Sequence, residues 1–140
     1  MRLLIATPTA VAIDEPNVLA IRAEDESGSF GILPGHADFV TALTISVVSW
    51  RDALGRSRYC AVRRGVLSVD KGAEVAIATR EAAPGDDLGR LERIVLSEFR
   101  RRTEREQTAR TSDLKLRLEV VRRIVRYLRP PMAGVAEGGG

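Results

Sequence analysis

The sequence predicts a β-then-α chain: an N-terminal antiparallel β-sandwich over residues 1–83, a C-terminal antiparallel two-helix hairpin over 84–129, and a disordered tail over 130–140. Three observations predict it. Up to about Thr79 the chain is a series of short Val-, Ile- and Leu-rich runs cut by turn formers. Composition then changes at Ala82-Ala83-Pro84-Gly85, and beyond it apolar residues recur at helical spacing.

Leu3-Leu4-Ile5-Ala6 opens the strand region, followed by Val18–Ala23, Leu43–Trp50, Arg58–Val62, Val66–Val69 and Glu74–Ala78. Between them Asp52 to Gly55, Arg64-Gly65 and Asp70-Lys71-Gly72 supply the Gly and Asp of tight connections. Cys60 and Trp50 read as packing residues.

Asp86 and Asp87 stand as N-cap and first-turn acids of a first helix, with Leu88, Leu91, Ile94, Val95 and Phe99 as its apolar stripe. Polar residues Thr103 to Thr111 break that stripe. Thr111-Ser112-Asp113 is a second cap signal ahead of Leu114, Leu118, Val121, Val125 and Leu128, which keep a/d spacing. Pro130-Pro131 closes the second helix. Two such helices are expected to pack antiparallel, and their thin stripes suggest a mobile element.

The bulk numbers exclude several function classes. At 44% hydrophobic and 29% charged, the 140 residues are too apolar for a disordered chain, and no apolar run reaches membrane-spanning length. Met1 to Thr7 is too short before Pro8 for a secretory core. One cysteine forms no internal disulfide, one Cys with one His makes no structural zinc site, and a reducing cytoplasm is the expected home. Residues 86–129 hold 13 basic and 8 acidic side chains, a basic segment suited to nucleic acid, an anionic membrane surface, a nucleotide or an acidic protein.

The most specific stretch is Gly28-Ser29-Phe30-Gly31-Ile32-Leu33-Pro34-Gly35-His36-Ala37-Asp38-Phe39-Val40-Thr41-Ala42-Leu43. It resembles the signature of F-type ATP synthase epsilon subunits, a Gly-Ile-x-Pro-Gly-His-Ala segment followed by an apolar pair, Thr and Ala. Gly31, Pro34, Gly35 and His36 are its structural loop, with Gly and Pro setting backbone angles. Arg64-Gly65-Val66-Leu67-Ser68-Val69 is similar to a family hairpin, with Arg64 in place of its first glycine.

The resemblance implies a non-catalytic rotor subunit at the foot of the central stalk, on the cytoplasmic face of the plasma membrane. Its sandwich would contact the gamma subunit and the c subunits of the membrane ring, the latter through Glu26, Ser27, Gly28 and Ser29. Ser27 and Ser29 stand where the family often has acids. The helices would be regulatory, inhibiting ATP hydrolysis when extended, with Arg100, Arg101, Arg102, Arg105, Arg122, Arg123 and Arg126 able to reach acidic surfaces of the catalytic alpha and beta subunits. No cofactor is required. ATP enters as a regulatory ligand in some members, and Asp87, Arg90, Arg122 and Arg126 match part of that pattern, while Asp86 and Leu91 depart from it.

No phosphate loop is present, and no Ser or Cys nucleophile with a supporting acid surrounds His36. An enzyme built on the sandwich lacks convergent groups. A nucleic-acid-binding module using the Arg-rich helices is the alternative, though they offer only Phe99, Gln107 and Tyr127 as base readers.

Overall fold

The computed structural model describes residues 1–128, with the side chains of 113 and 126–128 outside the description. Its strands are β1 Arg2–Ala6, β2 Val11–Glu15, β3 Ala20–Asp25, β4 Gly28–Ile32, β5 Phe39–Arg51, β6 Ser57–Asp70, β7 Glu74–Ala78 and β8 Ala82–Gly85. They are joined in the order β2-β1-β7-β6-β5-β3-β4, with β8 on β6. The helical part is α1 Leu88–Arg90, a π turn Leu91–Val95 and α2 Leu96–Leu128.

β5 and β6 are 13 and 14 residues long, enough to serve both layers of the sandwich. The first half of β6 pairs with β8 and the second half with β7. The crossover lies at Arg64 and Gly65, both at positive φ. Arg64-Gly65 is therefore a bend inside one strand rather than the end of one. Gly65 is required there because a Cβ would lie 2.1 Å from Ala78 O.

Alternation sets the core. Thr41, Leu67, Ile77, Ile5 and Ile13 form one inward rung across five strands, and Leu3, Val18, Ile21, Ile32, Val48, Trp50 and Val62 are among the other residues of the core. The pairs are antiparallel except β1 with β7, which is parallel. The chain start enters beside β7 running the same way, with Arg2 N–H donating to Ala73 O at 2.8 Å. The expectation of an antiparallel sandwich is corrected at this one pair. Pro84 was expected to end the strand pattern, yet β8 carries pairing on to Gly85 opposite Tyr59. As an edge strand it tolerates a residue without N–H.

The β-then-α order holds, but the two-helix hairpin does not: α2 runs unbroken from Leu96 to Leu128. Thr111 was read as a cap opening a second helix. Its hydroxyl instead donates to Gln107 O at 2.9 Å, a bond to the carbonyl four residues back that satisfies the side chain in a helix interior. With no Gly or Pro between Gln107 and Asp113, nothing forces the helix to end. The expected tail, 130–140, lies outside the described residues.

Two compact units result, Met1–Arg101 and a second beginning at Arg102. In the first, Leu91, Leu96 and Phe99 pack on the outside of the sheet against Ala61, with Ile45, Val47, Tyr59 and Ala83 around them. In the second, Leu114, Leu116, Leu118, Val120, Val121, Ile124 and Val125 are each about half exposed, from 47% to 60%.

Candidate functional site

Glu26 and Ser27 are the two central residues of the β3–β4 hairpin, closed by the Asp25–Gly28 pair. Asp25 organises it: Oδ1 accepts from Ser27 N–H at 2.9 Å and from the Ser27 hydroxyl, and Oδ2 accepts from Thr41 Oγ1 at 2.8 Å. The Ser27 and Thr41 hydroxyls hold the Asp25 carboxyl below its ordinary value, so it stays ionised. Gly28 sits at φ +118. Ser29 accepts from Arg22 Nη1 at 3.4 Å. The hairpin thus presents Glu26, Ser27 and Ser29 to solvent on a fixed turn.

The signature loop is built differently. His36 N–H donates to Leu33 O at 3.1 Å, closing a turn with Pro34 second and Gly35, at φ +86, third. That is the placement a type II turn demands. The loop is bound to the β6–β7 turn by two bonds: Gly35 N–H to Gly72 O at 2.9 Å and Lys71 N–H to Asp38 Oδ1 at 2.8 Å. The two backbones approach so closely that a Cβ on Gly72 would meet Gly35 Cα at 2.5 Å. His36 Nδ1 donates to Ala37 O at 2.7 Å, and its ring lies edge-on to Phe39 at 5.9 Å. These contacts make His36 a loop fastener. Among the described residues no cluster of His, Cys, Asp and Glu could hold a metal.

Asp87 caps the helix start: its Oδ1 accepts from Arg90 N–H at 3.2 Å and its carbonyl from Leu91 N–H at 3.1 Å. Arg90 is exposed. Arg122 is exposed in the second unit, and the side chain of Arg126 lies outside the described residues. Beside α1 and the base of α2 lies an open groove of about 500 Å³, walled by Leu88, Glu92, Leu96 and Arg100 and floored by Arg22 and Ser49.

One surface escaped the sequence reading. Cross-strand partners share a face, and the register aligns Ala42, Val66, Ala78, Ala6 and Val11 as an outward rung across five strands. Beside it run Val40, Ser68, Ala76, Leu4 and Asp14, the last paired with Arg2 at the edge of this face. Val40, Val66 and Val11 are 69%, 50% and 62% exposed. The signal was present in β7, whose outward positions are Glu74, Ala76 and Ala78, two of the three small and uncharged.

A family model described as the beta-sandwich domain of the ATP synthase delta/epsilon chain matches residues 1–85. The ATP synthase epsilon chain 2 of Paraburkholderia xenovorans (strain LB400) is 45% identical over 130 residues, 93% of this chain and 94% of that protein. The chain belongs to the ATP synthase epsilon subunit family. A second family member, the epsilon chain 2 of Cereibacter sphaeroides, is 37% identical over 98% of this chain and 97% of its own. In fold the chain is similar to a component of the Euglena gracilis mitochondrial ATP synthase, solved as OSCP/F1/c-ring, with TM-score 0.57 at 23% identity, covering 76% of this chain and 62% of that one. A central stalk/c-ring structure of the Tetrahymena thermophila enzyme matches with TM-score 0.51 at 15% identity, covering 59% and 65%. This chain therefore spans less than two thirds of the length of either mitochondrial chain. Among the described residues no helix of this epsilon-family chain is long and apolar enough to cross a membrane.

Proposed function

We infer that the chain is a non-catalytic central-stalk subunit that transmits rotation between the c ring and the catalytic head. The outward apolar face supports this reading most directly. A soluble sheet face ordinarily alternates apolar inside with polar outside, whereas here Ala42, Val66, Ala78, Ala6 and Val11 form an uncharged strip across five strands, bordered by Asp14, Arg2, Glu74 and Asp70. We assign that face to the gamma subunit. The Glu26–Ser29 hairpin, rigid and polar, suits the polar loops of the c subunits. No nucleic-acid contact enters this reading.

The long helix is the regulatory part. Its exposed Leu and Val residues from 114 to 125, with Arg122 and Arg123 beside them, suit a surface of the alpha and beta subunits that is apolar and acidic. ATP enters this reading only as a regulatory ligand; Asp87 is engaged as a cap, and the unbroken helix does not bring Arg122 back to Arg90. In this reading the chain sits peripherally on the cytoplasmic face of the plasma membrane.

The test is co-elution of the purified chain with the gamma subunit of the same organism, alongside Val66→Asp. The wild type should co-elute. The variant should lose most of the complex, because a buried unpaired carboxylate in an interface costs several kcal/mol, on the order of 100-fold in affinity or more. Equal co-elution of both would remove this face from the interface.

A further inference from the structure

Leu91, Leu96 and Phe99 are the helix residues buried on the sheet, at 5%, 7% and 5% exposure. Their spacing of five and then three fits no single α-helical face. At about 100° per residue, an α-helix holding Leu91 inward would turn Leu96 about 140° away. The π turn removes the mismatch by one residue: Leu96 N–H donates to Leu91 O, five positions back.

The same stretch holds a second apolar set. Leu91, Ile94 and Val95 stand at i, i+3 and i+4, the spacing an α-helix would bury. Yet Ile94 is 61% exposed and Val95 only partly buried. An exposed isoleucine beside Arg93 has no role in the observed packing, but it would have one after a shift of phase.

We propose that Leu91–Val95 is a two-state phase switch in the helix. In the π state Leu96 and Phe99 are buried. In the α state the hydrogen bonds move from five back to four back, Ile94 and Val95 take the sheet, and Leu96 and Phe99 are released. Leu91 is the anchor of both. The π state, which buries Leu96 and Phe99, is the major one, because the α state also turns Glu98, at i+7 from Leu91, toward the sheet. A change of phase turns the positions that follow within the first unit, Leu96 to Arg101, by about 100° about the helix axis. This rests on the stalk reading only for what the turned helix does in the complex; the switch belongs to the isolated chain.

The experiment is amide hydrogen exchange on the full chain, comparing wild type, Ile94→Gln and a deletion of Ile94. Glutamine penalises only the α state, so the amides of Leu96 to Arg101 should exchange about tenfold more slowly, as expected when an opening that buries an isoleucine is disfavoured. The deletion brings Leu91, Val95, Leu96 and Phe99 to i, i+3, i+4 and i+7, a regular α stripe, and should slow exchange likewise. Unchanged or faster exchange in Ile94→Gln would overturn the switch and leave the π turn a fixed irregularity, whether or not the deletion folds. Co-elution with gamma, scored separately, tests the stalk reading.

Discussion

Asp52 shows how much one side chain can fix. It is 6% exposed, and its carboxylate accepts from Leu54 N–H, Arg56 N–H and Arg56 Nε, all at 3.0 Å, which shapes the β5–β6 turn. The Arg56 N–H, then Leu54 N–H and the Arg56 side chain, hold this carboxyl below its ordinary value against the opposing effect of burial. A lowered folded value means the stabilisation is fully present above the ordinary carboxylate range near pH 4 and is lost as pH falls through the folded value. Asp52→Ala should therefore lower Tm by several degrees at pH 7, and the gap from wild type should narrow steadily below about pH 4. Thermal melts of both proteins between pH 7 and pH 2 check this; a constant gap would mean the carboxylate charge is irrelevant. The Asp52–Gly55 turn was legible because its signals are local. So was the Leu33–His36 turn, where Pro34 and Gly35 announce their own geometry. Gly72 was legible only as a turn former. Its contact with Gly35 depends on strands brought together by the fold, which no local signal carries.

At the scale of the element, the strand pattern was readable where side chains alternate and lost where they do not. β4, Gly28–Ile32, holds two glycines among its five residues and gives almost no period-2 signal. The helix failed differently: both apolar stripes were found, but the polar break between them and the cap signal at Thr111-Ser112-Asp113 were read as a chain reversal. Thr111 decides between the two descriptions. If it is interior, with its hydroxyl on Gln107 O, Thr111→Ala replaces a poor helix former with the best one, a gain of about 0.5 kcal/mol in helix stability. If it were a cap, the same change would cost about 1 kcal/mol. Helix content followed by circular dichroism through a thermal melt should rise or stay level in the variant. A clear loss would restore the hairpin.

For the whole molecule, the family match and the physical unit end at different places. The matched sandwich stops at residue 85, whereas the compact unit runs to Arg101 because Leu91, Leu96 and Phe99 cover Ala61 and the outer side of β5, β6 and β8. Each of those side chains contributes roughly 1.5–3 kcal/mol when fully buried, an upper bound that still makes the cover a substantial part of a small domain's stability. Truncation after Arg101 should therefore leave Tm and gamma co-elution near those of the full chain, since nothing buried in the first unit is removed. Truncation after Gly85 should lower Tm by ten degrees or more, on the order of 4–8 °C per kcal/mol for a domain of this size. Reconstituted with the remaining subunits, the Arg101 form should raise ATP hydrolysis under the proposed function, because it keeps the face proposed for gamma and lacks most of the helix proposed to be regulatory. Equal melting of the two truncations would show that the helix base is an accessory to the sandwich rather than part of it. Unchanged hydrolysis with the Arg101 form would place any regulation outside residues 102–140.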